Sequence, residues 1–159
     1  MFIPEIPDNS LKDILKEIVY IAQNAVSTGE YSLQCSFNPP ASELDIVECE
    51  KIVNAKFTDD FKNFLKFSNG AELCFNSISF YSINEIISDY RQEKVEEFPS
   101  DYIVIADIIG DGEILCFDRK TNKYIRYFDG DEREFNSFLD FLIKFIPHIK
   151  DKVEEYVDI

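Results

Sequence analysis

Three short apolar runs, separated by turn sequences, occupy the stretch from residue 102 to residue 128. The runs are residues 102–107, 113–118 and 123–128. The connections between them have the lengths of β-hairpin loops and are rich in glycine, aspartate and asparagine. The sequence therefore predicts an antiparallel meander in the C-terminal half of the chain.

Helical patterns precede and follow this meander. Four serines are each followed three positions later by a carboxylate, an arrangement that satisfies the free amides of a helix N-terminus, and each precedes apolar residues at helical spacing. The four are Ser10, Ser42, Ser82 and Ser137. Helices are predicted over residues 11–27, 42–53, 58–69, 82–97 and 137–146, and additional strands over residues 31–37 and 73–81.

These predicted elements define an α+β domain in which helices pack against an antiparallel sheet. Pro147 is expected to kink or end the last helix. The second helix is expected to turn one apolar face inward, formed by Leu44, Ile46, Val47, Cys49, Ile52 and Val53. At 159 residues with 45% hydrophobic residues, the chain is predicted to fold as one domain over residues 1–159.

The formal net charge of −15 limits the partners that this chain can attract. Nucleic-acid phosphates and anionic membranes would be repelled, whereas a basic protein would be attracted. The alternative is that the acidity serves solubility alone. The chain has no apolar run long enough for a membrane span and no basic leader before its first apolar residues, so we expect a soluble cytoplasmic protein.

The residues that carry enzymatic chemistry are sparse. His148 is the only histidine, and no nucleophile-elbow, zinc-protease or phosphate-loop motif accompanies it. Cys35, Cys49, Cys74 and Cys116 form no C-x-x-C pair and are predicted to be buried, reduced thiols. We therefore predict a protein that is not an enzyme and has no cofactor or metal.

Two acidic stretches remain open to a binding role. Residues 107–118 match a calcium loop at several positions, but Ile109 and Leu115 stand where ligands are needed, so a hairpin turn is favoured. Residues 129–134 form the densest acidic cluster and could hold a cation, face a basic partner, or be a solvated loop before the last helix.

The order of several short motifs resembles the SUKH superfamily over residues 39–145. The helix after Pro40-Ala41-Ser42-Glu43, the phenylalanine-rich helix 57–65, and the helix end at Ser68-Asn69-Gly70 resemble the first half of that family's core. The turn Gly110-Asp111-Gly112, the strand that ends at Asp118, and Ser137-Phe138-Leu139-Asp140-Phe141-Leu142 resemble its second half. The helix and strand of residues 10–37 are extra to this core.

The resemblance implies an immunity protein that binds and neutralises a toxin domain. A nuclease toxin has a basic substrate groove that the acidic surface of this chain would attract. We expect a monomer or a weak dimer. The alternatives are a regulatory adaptor of the same fold, a calcium-binding protein or a hydrolase. The acids expected to bind the partner are Asp111, Glu113, Asp129, Asp131, Glu132 and Glu134, in loops around the meander. The residues expected to shape turns are Asn69, Gly70, Gly110, Gly112 and Asp118.

Overall fold

The strands of the single sheet lie in the order in which the chain makes them, and every neighbouring pair is antiparallel. The computed structural model describes residues 1–75, 77–108 and 112–157. Its strands are β1 Ser36–Phe37, β2 Ala71–Leu73, β3 Ile78–Phe80, β4 Tyr102–Ile108, β5 Glu113–Asp118, β6 Lys123–Phe128 and β7 Asp131–Phe135. Its helices are α1 Lys12–Ser27, α2 Glu43–Val53, α3 Asp59–Phe67, α4 Ile83–Tyr90 and α5 Phe138–Val157, with a 3₁₀ turn at Tyr31–Leu33. The predicted α+β architecture and the meander are confirmed.

Buried side chains from all five helices meet one face of the sheet in a single core. Aromatic rings fill its centre. The ring of Phe138, at the start of α5, lies 5.1 Å from Phe61 and 5.3 Å from Phe64, both on α3, and 5.5 Å from Tyr124 on β6. The core therefore joins the first and second halves of the chain through edge-on and tilted ring contacts.

Serine caps begin three of the four helices for which they were predicted. Ser42 and Ser137 each accept a hydrogen bond from the amide three residues on, at 3.1 and 2.9 Å. Ser82 forms a complete capping box with the carboxylate three residues later. The predicted cap at Ser10 is wrong, because the side chain of Asn9 accepts the hydrogen bond from the amide two residues on, at 2.9 Å.

The capping box of α4 gives a first testable prediction. Ser82→Ala is expected to lower the free energy of unfolding by about 1 kcal/mol, because it leaves a helix amide without its acceptor. The matched control is Ser88→Ala, an exposed position inside the same helix, where alanine is expected to be neutral or slightly stabilising. Urea unfolding followed by circular dichroism measures both, and equal stabilities for the two variants would contradict the role of the cap.

Four element boundaries differ from the sequence predictions. Residues 31–37 contain a 3₁₀ turn and only a two-residue strand. The predicted strand over residues 73–81 is a hairpin of β2 and β3, which Cys74 turns with a positive φ of 46°. Helix α4 ends at Tyr90, because the charged segment after it offers no apolar face to bury. Helix α5 continues beyond Pro147 to Val157, because Ile149 and Val153 extend its buried stripe.

The inward face predicted for α2 was too broad. Ile46, Cys49 and Val53 are buried, as predicted, because their spacing places them on one stripe of the helix. Leu44, Val47 and Ile52 are exposed, Leu44 most of all at 68%. Six apolar positions within ten residues exceed what one helical face can bury.

Candidate protein-binding face

The sheet carries a second, smaller apolar cluster on the face that points away from the helices, here called the outer face. Val104, Cys116 and Ile125 are buried there, on β4, β5 and β6. The side chains packed over them in the described part of the chain belong to strands or connections, not to a helix: Tyr81, Phe98, Tyr102, Ile114 and Tyr127. The outer face is thus covered by side chains that themselves remain partly exposed.

Three of these covering side chains form an aromatic patch. Phe98, from the connection between α4 and β4, lies with its ring 5.3 Å from that of Tyr127 and 6.2 Å from that of Tyr102, both in edge-on geometry. Tyr102 and Tyr127 are 6.3 Å apart. Each ring is therefore held by two others while part of its surface faces solvent.

Carboxylates reach the same face from β7. The register pairs Tyr127 with Glu132 and Ile125 with Glu134, so these two glutamates share the outer face with the aromatic patch. Asp131, which alternates with them, lies on the helix side of the sheet.

Strand β7 was not predicted from the sequence, in which residues 129–134 were expected to form a loop. It is an edge strand with four exposed charged residues, the composition that protects a free sheet edge from further pairing.

The predicted partner-binding acids do not form one surface. Glu113, Asp131, Glu132 and Glu134 lie on strands, and Asp129 alone occupies a turn, with φ 47°. Glu113 lies on the helix side and forms an ion pair with Arg126. The expected placement in loops is wrong for Asp131, Glu132 and Glu134, because β7 extends the meander, and Glu113 is the first residue of β5, the strand predicted over residues 113–118. Asp111 lies outside the described residues.

The two outer-face glutamates already have partners within the chain. The hydroxyl of Tyr102 donates to the carboxylate of Glu132, 2.9 Å from each oxygen. Lys123 Nζ lies 2.7 Å from Glu134 Oε1. Burial, and then the hydrogen bond to Glu132, raise the pKa of Tyr102 above its ordinary value. Tyr102 therefore remains a neutral donor at neutral pH and is fixed in position by the carboxylate.

A second tyrosine on the outer face is held in the same way. The hydroxyl of Tyr81 donates to Asp107 Oδ1 at 2.8 Å. Burial raises the pKa of Tyr81, and the hydrogen bond and charge of Asp107 raise it further. The outer face thus combines aromatic rings with carboxylates that orient two of them.

Asn69 and Gly70 lie between α3 and β2 and contact the start of α4. The side-chain oxygen of Asn69 accepts a hydrogen bond from the amide of Ile83 at 2.8 Å. Gly70 has a φ of +88° and lies so close to Ser82 that a Cβ would come within 2.7 Å of its backbone nitrogen. Asn69 thus fixes the start of α4 through its side chain, and Gly70 allows a close approach of two backbone segments.

Asp118 and Gly112 lie at opposite ends of β5. Asp118 accepts hydrogen bonds from the amide of Lys120 at 3.0 Å and from the hydroxyl of Thr121 at 2.9 Å, which closes the turn to β6. Gly112 has a φ of +88° immediately before β5. Gly110 lies outside the described residues, so the predicted turn of residues 110–112 is described only at its last position.

The four cysteines are buried and free of disulfides. Cys35 and Cys74 are neighbours, with their Sγ atoms 4.0 Å apart. Burial raises the pKa of Cys49 to about 11, so this thiol stays protonated at neutral pH. In residues 1–75, 77–108 and 112–157, no three histidine, cysteine, aspartate or glutamate side chains are grouped closely enough to hold a metal ion.

None of the helices in the described ranges is long and apolar enough to cross a membrane. The fold and the outer face together define an α+β domain that presents an aromatic and acidic sheet surface suited to binding another molecule. The sequence matches the SMI1/KNR4 family (SUKH-1) over residues 40–144, well over half of the chain, and the protein belongs to this family. The resemblance identified over residues 39–145 is thereby confirmed.

One similar protein is the uncharacterized protein YnaB of Bacillus subtilis (strain 168). It is 36% identical to this chain over 70 residues, a stretch that covers 44% of this chain and 46% of YnaB. The match therefore spans less than half the length of that relative.

Proposed function

We propose that this protein is a cytoplasmic immunity protein, not an enzyme, which binds a basic toxin domain through the outer face of its sheet and thereby neutralises the toxin. The observation that carries the proposal is the aromatic patch of Phe98, Tyr102 and Tyr127 beside the carboxylates of Glu132 and Glu134. Membership of the SMI1/KNR4 family (SUKH-1) supports the role, because the resemblance implies immunity proteins.

The tyrosines are suited to anchor a protein partner. Tyrosine and tryptophan dominate binding hot spots because they bury a large area while few rotatable bonds become fixed. Tyr102 is held by Glu132 and packs against Phe98, so much of its conformational freedom is lost before any partner arrives. The energy of burying the exposed ring edges is then available for affinity.

The charges favour a basic partner. A net charge of −15 draws a cationic surface toward the protein and speeds the encounter in a salt-dependent manner. Glu132 and Glu134 would then meet lysine or arginine side chains beside the aromatic patch. Asp129 and Asp131, on the neighbouring turn and strand edge, extend the negative field, and Glu113 contributes to it more remotely.

The charge contribution is tested with a matched pair of double variants. Glu132→Gln/Glu134→Gln is expected to slow association with the toxin domain encoded beside this protein by about tenfold and to reduce the salt dependence of that rate. Glu154→Gln/Glu155→Gln removes the same charge from exposed positions near the end of α5 and is expected to change the rate less than about twofold. Surface plasmon resonance at several salt concentrations measures the association rates of both variants. Equal rates for the two variants would contradict the assignment of the outer face as the binding surface.

The aromatic contribution is tested separately. Tyr127→Ala is expected to weaken the complex by about 2 kcal/mol, chiefly by faster dissociation, because an anchor ring is lost. Tyr20→Ala, which removes a ring that is 62% exposed on α1, is the control and is expected to leave dissociation unchanged. If only the control variant lost affinity, the binding surface would have to be assigned to the helices instead of the outer face.

The immunity role itself is tested in cells. Co-expression of this protein is expected to restore growth to bacteria that produce the neighbouring toxin domain, and Tyr127→Ala is expected to reduce the protection. If the wild-type chain neither protects cells nor binds any protein encoded beside it, the immunity proposal is wrong whatever face is considered.

A further inference from the structure

A cleft of about 630 Å³ opens between the C-terminal end of α2, the connection from α2 to α3, and the turn from β5 to β6. Its volume is within the range of roughly 300–1,000 Å³ that is usual for small-molecule sites. Its charged lining residues are Lys51, Lys56, Arg119, Lys120, Glu50 and Asp101. We call it the lysine cleft. Basic residues outnumber acidic ones in its lining, whereas the whole chain has 31 acidic and 16 basic residues.

The two acids of the lysine cleft are already engaged. Glu50 Oε2 accepts a hydrogen bond from the backbone amide of Phe57 at 2.8 Å. Asp101 Oδ1 lies 3.3 Å from Nε of Arg119. Neither carboxylate therefore forms an ion pair with a lysine of the cleft, and the basic side chains of the lining still outnumber the acidic ones by four to two.

Arg119 forms a rigid part of the wall. Its guanidinium donates to the carbonyl oxygen of Val53 at 2.9 Å and to that of Ser100 at 3.2 Å, in addition to its pair with Asp101. These contacts tie the end of α2 to the segment before β4. This wall of the cleft is thus fixed by half-buried and exposed hydrogen bonds that do not involve the lysines.

The three lysines have no such partners. Lys51, Lys56 and Lys120 are exposed, come from three different parts of the chain, and form no ion pair with any carboxylate of the described residues. Three unpaired ammonium groups that line one concave surface repel one another weakly in water, and an anion bound between them removes this repulsion and gains three favourable contacts. In a chain with a large excess of acids, this concentration of unpaired cations indicates a site for a negatively charged ligand.

We infer that the lysine cleft binds a multiply charged anion of small-molecule size that carries phosphate or carboxylate groups. Lysine binds such groups as a point charge with several donors, and water-exposed placement suits a soluble ligand. Val47 and Ala55 supply an apolar wall against which a ring or hydrocarbon portion of the ligand can pack. The inference does not depend on the proposed immunity function, since none of the residues that line the lysine cleft belongs to the outer face.

The test uses the full chain and two inorganic or simple organic probes. Isothermal titration calorimetry at low ionic strength measures the binding of tripolyphosphate and of citrate. Lys56→Gln/Lys120→Gln is expected to weaken the binding of whichever probe the wild-type protein prefers by about tenfold, because two of three cationic contacts are lost. Preference for tripolyphosphate assigns the site to phosphate ligands, and preference for citrate assigns it to carboxylate ligands.

The control is Lys16→Gln/Lys150→Gln, which removes the same charge from exposed positions on α1 and α5. It is expected to change the affinity by less than about twofold. The inference is overturned if the wild-type protein binds neither probe at millimolar concentration, or if both double variants lose affinity equally. Thermal unfolding of each variant confirms that the fold is retained, because these lysines make no ion pair in the described part of the chain.

Discussion

Replacing Phe138 with alanine is expected to lower the free energy of unfolding by about 4 kcal/mol. The ring is fully buried and lies within 5.5 Å of the rings of Phe61, Phe64 and Tyr124. Its removal loses the free energy gained when the ring is transferred out of water. It also leaves a cavity among rings that are themselves fixed by other neighbours. Urea unfolding at constant temperature measures the loss.

Two further variants make this prediction specific. Phe138→Leu keeps most of the volume and is expected to cost less than about 1.5 kcal/mol. Phe128→Ala removes a ring that is 41% exposed at the end of β6 and is expected to have a much smaller effect than Phe138→Ala. If Phe138→Ala and Phe128→Ala were equally stable, the aromatic core would not have the central role described for it.

Gly70→Ala is expected to destabilise the fold by about 3 kcal/mol or more. A Cβ at this position would lie 2.7 Å from the backbone nitrogen of Ser82 and 3.0 Å from the carbonyl oxygen of Phe80. Both atoms belong to the main chain at the junction of β3 and α4, so neither can rotate away. The positive φ of +88° adds the ordinary cost of a left-handed backbone for a residue with a side chain.

Gly29 separates the two contributions to this cost. Its φ is +72°, but nothing lies within 4 Å of the position a Cβ would take. Gly29→Ala is therefore expected to cost only about 1 kcal/mol, the conformational part alone. The difference between the free energies of unfolding of the two variants measures the cost of the steric clash at Gly70. Equal values would show that the backbone around residue 70 shifts to accept a Cβ without loss of stability.

The meander was predictable because its signals are local. Residues 113–118 and 123–128 alternate or run apolar between turns of hairpin length, and hairpins are specified within about a dozen residues. The capping box at Ser82 was equally local. By contrast, β7 consists mainly of charged residues with low strand propensity, and pairing with β6 decides its conformation.

The binding face was only partly predictable for a related reason. Glu132 and Glu134 were identified as candidates from their charge, but the side of the sheet on which they lie depends on the register of β7. The lysine cleft gave no signal in the sequence, because Lys51, Lys56 and Lys120 come together only through the tertiary fold.

The order of the strands has a consequence for synthesis on the ribosome. Each strand pairs with the one made just before it, so the sheet can grow as the chain emerges. Helix α1, however, packs against α5, where Ile18 and Ile149 line the same small void. At usual elongation rates α1 must wait on the order of 10 s for that partner. Until α5 has been translated, the apolar stripe of α1 therefore lacks the helix that covers it in the folded domain.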